Sequence, residues 1–197
     1  MATSYYKTKY NRSFTPGQGL PVVSTDLDSV RAYQFEIHFH GLPDNISNQG
    51  QDLTLAAKKI TGLNYATEPI AVSRVNDKLF YPGKPTPGDM MVTFDNLYLR
   101  ETASDLWRYF KTIYDPITGE MTKNAQPGGT AGLTFKAERV EIIQLDNTME
   151  PHSTIEVYGV WPSKWEASEF NYETSQFHTL DVTFKYDFLQ QYNYSNP

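Results

Sequence analysis

The chain has 197 residues, a formal net charge of -6, 39% hydrophobic and 14% aromatic content, and no cysteine. That length suits one well-cored domain, and the hydrophobic share is too high for a disordered chain. The acidic balance excludes a protein that grips nucleic acid by neutralising phosphates over its whole surface, and the lack of thiols excludes a disulfide framework or thiolate metal centre.

Residues 1–30 are polar, rich in tyrosine and broken by Pro16, Gly17, Gly19 and Pro21, with neither helical nor strand periodicity. They read as an N-terminal arm: an unstructured terminus, or a segment that orders on a neighbouring subunit with Tyr5, Tyr6 and Tyr10 as anchors. Lys7, Lys9 and Arg12 precede no apolar run that could form a signal-peptide core, and no later stretch approaches the ~20 apolar residues of a spanning helix. Export and membrane insertion by this chain are therefore not expected.

From Tyr33 the pattern alternates strictly, with Tyr33, Phe35, Ile37 and Phe39 on one face and Gln34, Glu36, His38 and His40 on the other. The same period returns from Thr179 to Phe188. Between these lie further strands at Asp52–Ile60, Ile70–Phe80, Asp89–Leu99, Gly132–Leu145 and Thr154–Trp161, separated by Gly, Pro and Asn. One helix is predicted over Thr102–Asp115, where Thr102 and Asp105 have capping-box spacing and Leu106, Trp107, Phe110, Ile113 and Tyr114 form a stripe. The run Tyr81–Gly88, YPGKPTPG, reads as a rigid projecting turn, and Ile117–Gly132, with Gly128 and Gly129, as a long loop. The expected fold is mainly β with one helix, an antiparallel sandwich or barrel.

Chemistry-bearing motifs are scarce. His38 and His40 could form a two-point metal fork beside Glu36, but no third ligand accompanies them, and partly exposed histidines are the ordinary alternative. There is no nucleophile elbow, no phosphate-cradling glycine motif and no carboxylate pair that the sequence places across a sugar. Trp161 continues an alternating strand and reads as core. An enzyme is not expected, and no cofactor or metal.

The segment Glu156–Leu189, EVYGVWPSKWEASEFNYETSQFHTLDVTFKYDFL, resembles the C-terminal region of tail tube proteins of contractile-tailed bacteriophages. An apolar strand ends in Gly159, Val160, Trp161 and Pro162; an acidic and aromatic connection follows; a final alternating strand closes it. The upstream order of strands and helix agrees, so the resemblance covers about Arg31–Tyr192. It departs from the family in the long arm and the Gly-rich loop. The implied domains are an arm at 1–30, a tail tube domain at 31–192 and a short tail at 193–197.

The resemblance implies a structural virion protein, assembled in the host cytoplasm, whose sheets join in hexameric rings to form a continuous inner barrel. The rings would stack helically inside a contractile sheath, with sheath, baseplate and tail terminator proteins as partners, and genomic DNA would pass without specific binding. Glu138, Thr154, Glu156 and, less directly, Asp181 are then candidates for the lumen; the arm, Tyr81, Pro82, Gly83, Lys84 and Pro85, and Gly128 and Gly129 are candidates for contacts between subunits. Other readings are a same-fold baseplate tube initiator, a type VI secretion tube protein, or a carbohydrate-binding β-sandwich using exposed Tyr and Trp.

Overall fold

The computed structural model describes residues 31–43, 46, 50–120, 135–146, 149–173 and 175–193. The expectations for the arm at 1–30, with Tyr5, Tyr6 and Tyr10, and for Gly128 and Gly129 lie outside these residues. The described elements are β1 (Phe35–His40), α1 (Gln51–Ala56), β2 (Ala57–Thr61), β3 (Tyr65–Ser73), β4 (Lys78–Pro87), β5 (Asp89–Asp95), α2 (Thr102–Lys111), β6 (Ala137–Leu145), β7 (Pro151–Ala167), β8 (Thr179–Lys185) and β9 (Phe188–Asn193).

Two antiparallel sheets face each other and share one strand. The first has the order β1-β6-β7-β9 and the second β7-β8-β5-β2. The alternating residues of both inner faces meet between them: Ile37 and Phe39 of β1, Val140 of β6, Val157 of β7, Leu180, Val182 and Phe184 of β8, and Met90, Val92 and Phe94 of β5 are all buried. Phe39 from the first sheet lies 6.1 Å from Phe94 and 6.3 Å from Phe184 of the second, ring centre to ring centre. Each buried ring contributes about 1.5–3 kcal/mol, against about 1 kcal/mol for one ladder hydrogen bond, so this triad sets the sheet spacing.

The shared strand β7 pairs with β6 and β9 up to Tyr158 and with β8 from Trp161 onward. The switch falls at Gly159, whose φ of +66° suits glycine, and a Cβ there would stand 2.1 Å from the Asp187 carboxylate. Asp187 sits between β8 and β9, where the chain changes sheets in the same way; its N–H donates to Tyr158 O (2.9 Å) and its carboxylate accepts from Lys136 (2.8 Å).

Helix α2 closes one end of the core. Thr102, Asp105, Leu106 and Tyr109 face inward at helical spacing. The Tyr109 hydroxyl donates to Val160 O (2.6 Å) and accepts from Ala137 N (3.0 Å), tying the helix to β6 and β7 beside the bend. Trp107 packs edge-on to Trp165 with ring centres 5.6 Å apart.

Several expectations are corrected. The stretch Asp52–Ile60 is helix α1 followed by β2, because Leu53 and Ala56, both buried, are spaced for a helix and not a strand. A second helix therefore joins the one expected. The stretch Ile70–Phe80 is not one strand but a hairpin turning at 74–77, closed by Arg74 N–H to Asp77 O (2.7 Å). The run Tyr81–Gly88 is not a turn: up to Pro87 it is the second strand of that hairpin, where prolines are tolerated because β4 has only β3 beside it. Helix α2 ends at Lys111 and its N-cap is Glu101, so Thr102 and Asp105 form no capping box; Asp105 is instead buried against Arg108 (3.1 Å). The last alternating stretch is two strands on different sheets, β8 and β9. Trp161 is only half-buried, edge-on to Phe135.

Burial pushes the Tyr109 phenol well above its ordinary range. A folded value raised above the unfolded one, about 10, gives stability that is full below about pH 10 and is lost as pH rises toward the folded value. Tyr109→Phe leaves two buried backbone groups unpaired and is expected to cost about 1–3 kcal/mol at neutral pH, with a smaller alkaline loss than the parent. Urea denaturation near neutrality and above about pH 10 checks both; an unchanged midpoint at neutral pH would show that the two bonds contribute nothing.

Candidate functional site

Strand parity puts the polar half of the first sheet on its outward face. The pairings align three rows across β1, β6, β7 and β9: His40, Arg139, Tyr158 and Phe188; His38, Glu141, Glu156 and Gln190; Glu36, Ile143, Thr154 and Tyr192. Neighbours in these rows and diagonals are within reach of one another. Glu156 accepts from Arg139 (3.0 Å) and from the Tyr158 hydroxyl (2.6 Å), and its side chain is only 12% exposed. His40 contacts Glu141 (3.1 Å) and His38 contacts Glu36 (3.3 Å). The Tyr158 ring stacks on Phe188 with centres 4.6 Å apart.

Glu156 is the hub of this face. Its hydrogen bond, then burial, raises the Tyr158 phenol above its ordinary range; burial first and then Glu156 raise Tyr192 likewise. Burial works against the Arg139 charge, but Glu156, Tyr158 and Glu141 outweigh it and hold the guanidinium above its usual value. The cation is thus fully engaged by carboxylates. Glu36, Glu141 and Glu156 against Arg139 leave the face acidic.

Of the residues singled out for a lumen, Thr154 and Glu156 share the strand parity of this face, but Thr154 is buried, paired across to Tyr192, and only Glu156 reaches the surface. Glu138 has the opposite parity and stands exposed at the start of β6, against Gly41. Asp181 lies on the outward face of the second sheet, accepting from Thr93 Oγ1 (2.5 Å) and paired across to Glu166. Arg139, Glu141, Tyr158 and Tyr192 were not picked out from the sequence, although the parity of Glu156 and an antiparallel pairing would have indicated them. His38 and His40 share the face but engage different carboxylates, and among the described residues no three His, Asp or Glu side chains converge on a metal geometry.

The β3–β4 hairpin forms a two-stranded sheet of its own, and every residue of β3 is exposed. Val72 pairs with Leu79 and Ile70 with Tyr81, which places these four side chains on one face, 37–57% exposed. Tyr81, Pro82, Gly83, Lys84 and Pro85 all belong to β4. The sequence signal for this hairpin was Asn76-Asp77, a turn pair between two alternating stretches.

The family model for T4-like virus tail tube protein gp19 matches residues 31–190. No curated protein matches this chain. Among solved structures, a chain of the anti-feeding prophage cap (AFP tube terminating cap) shares the fold with a TM-score of 0.64 at 9% identity, over 85% of this chain and 93% of that one. A chain of the PVC sheath-tube complex of an extracellular contractile injection system, in its extended state, has a TM-score of 0.62 at 11% identity, over 84% and 93%. A chain of the six-fold symmetrised anti-feeding prophage baseplate has 0.62 at 14% identity, over 84% and 97%.

Glu156→Gln is expected to lower the pH at which Tyr158 and Tyr192 ionise, since both are held up by the carboxylate. Phenolate absorbance titration of variant minus parent reads this directly; superimposable curves would remove Glu156 as the hub.

Proposed function

We infer that this chain, which belongs to the T4-like virus tail tube protein gp19 family, closes with copies of itself into six-membered rings that stack into the inner tube of a contractile tail. The observation that carries this is the β3–β4 hairpin. A lone two-stranded hairpin is marginal in water, and an exposed contiguous apolar face on it calls for a partner surface. A repeating stack supplies that surface on every neighbour.

The strand directions support ring closure. Along β1-β6-β7-β9 every neighbour is antiparallel, so β9 of one copy can lie antiparallel to β1 of the next and extend the same ladder. Joining copies this way around a ring removes both free edges of the first sheet, which would otherwise invite aggregation. Such a contact is heterologous, and a rotation that closes makes a ring, while a second contact that does not close makes a stack. A six-fold arrangement agrees with the symmetrised baseplate particle that contains a chain of this fold.

In that ring the second sheet and helix α2 cover one side of the first sheet, leaving its outward face for the lumen. Glu36, Glu141 and the largely covered Glu156 then line the channel, Thr154 is buried in the wall beside them, Asp181 faces outward, and Glu138 marks a rim. An acidic wall with its one arginine cancelled repels phosphate and lets a duplex slide, whereas unpaired cations would retain it. This fits a conduit for DNA ejection in a virion tail, with a sheath outside and baseplate and terminator proteins at the ends. Chains of this fold occur in a sheath-tube complex, a baseplate and a tube-terminating cap.

Electron microscopy of the concentrated protein is expected to show hollow tubes of uniform diameter. Ile70→Asp combined with Val72→Asp should leave circular dichroism unchanged, because both sites are exposed, and abolish stacking. Tubes of undiminished length from that variant would sink the hairpin's role, and isolated rings that never stack in the parent would favour a baseplate tube initiator.

A further inference from the structure

The apolar face of the β3–β4 hairpin has a counterpart at the other end of the same strands. The hairpin leaves the body beside Asp89, the first residue of β5: Gly88 N–H donates to Asn64 O (3.0 Å), and the Tyr186 hydroxyl donates to the same oxygen (2.7 Å). Asp89 pairs with Lys185 and Asp95 with Thr179, so the loop after β5 and the loop before β8 lie at the far end. Seven residues of strand separate the two ends, about 20 Å. Asn96 N–H donates to His178 O (3.1 Å) and the Asn96 amide donates to His178 Nδ1 (3.3 Å), which joins the two loops. Phe170 stacks on the His178 ring with centres 4.4 Å apart, and Arg100 ties the first loop to α1 through Asp52 (3.0 Å).

This far end carries Tyr98, Leu99, Phe170, Tyr172 and Phe177, each at least 82% exposed. Single exposed apolar side chains are ordinary, but five large ones on two hydrogen-bonded loops make the kind of patch that marks a contact surface. Its charge is opposite to that of the hairpin. Residues 168–178 include Glu169 and Glu173 and no lysine or arginine, while residues 65–87 have Arg74, Lys78 and Lys84 against Glu68 and Asp77. Arg74, Lys78, Glu169 and Glu173 make no ion pair among the described residues.

A surface at one end that complements the other end, and not itself, makes a head-to-tail contact, which repeats without limit when it does not close. We propose that the hairpin face of Ile70, Val72, Leu79 and Tyr81 seats on the loop cluster carrying Tyr98 and Phe170 of the copy in the next ring, with Arg74 and Lys78 toward Glu169 and Glu173. The proposal rests on the stacking inferred above and adds the surface that receives the hairpin. Exposed ion pairs contribute little, so the apolar side chains hold the contact and the charges set its direction. A hairpin meeting a hairpin would oppose like excesses of cations.

The chain has no cysteine of its own, so introduced thiols report the contact. Val72→Cys, Tyr98→Cys and Phe170→Cys all fall at exposed sites and should leave circular dichroism unchanged. The concentrated protein carrying Val72→Cys with Phe170→Cys, or with Tyr98→Cys should the seat be displaced, is treated with a short bis-maleimide. It is expected to give a denaturant-resistant ladder running past the six copies of one ring. Val72→Cys protein mixed with Phe170→Cys protein should give a dimer containing one of each, and Val72→Cys alone should give none. A ladder that stops at six places the contact within a ring, and dimers of Val72→Cys alone place hairpin against hairpin; either result overturns the proposal. Tubes that form with no ladder from either double variant overturn it while the stacking reading stands. If neither tubes nor a ladder form, the stacking reading falls and the proposal with it, whereas a ladder without hollow tubes upholds the contact and counts against the ring reading alone.

Discussion

The fold rests on one strand serving two sheets. The 17 residues of β7 cannot lie in both sheets without a bend, and the bend needs a residue with positive φ and no Cβ. Gly159 provides both, and Asp187 occupies the space its side chain would have taken. Two other features converge there: the β8–β9 crossover, anchored by Asp187 to Tyr158, and the Tyr109 hydroxyl, which satisfies Val160 and Ala137 where the ladders part. The backbone groups freed by the bend are thus paired inside the protein, as burial requires.

That bend decides which surfaces remain. By turning β7 away after Tyr158, it lets β9 pair beside the first half of β7 and gives the first sheet four strands, with two edges open among the described residues. The inner face is consumed by the Phe39, Phe94 and Phe184 core. The outward face is left flat and polar, with its single arginine neutralised by a nearly buried Glu156. A surface of that kind, acidic and without an unengaged cation in its centre, suits a wall past which a polyanion moves.

The unsatisfied parts of the isolated subunit point the same way. The hairpin presents an apolar face to solvent, the first sheet ends in open edges, and a groove beside β2 has apolar walls and a cationic rim. Each is a liability for a protein that stays alone in solution. In the stacked rings proposed above, the hairpin face and the sheet edges become contacts.

Much was legible in the sequence. The alternation of Ile37 and Phe39, and of Leu180, Val182 and Phe184, assigned inner faces correctly because the period of a half-buried strand is two wherever the chain runs. The absence of cysteine, of phosphate-binding glycines and of a nucleophile motif likewise needed no coordinates. What local pattern could not decide was where strands begin, end and change partners. Asp52–Ile60 alternates well enough for a strand, but Leu53 and Ala56 had a core to enter only as a helix. YPGKPTPG carries turn residues, yet forms a strand because it has a single neighbour to satisfy. Thr179–Phe188 reads as one strand, and only the bend at Gly159 splits it between two sheets. The sequence by itself determined the class of fold and the residues fit for its interior; the tertiary structure alone decided which polar residues share a face, because pairing between distant strands sets that register, and no local periodicity records it.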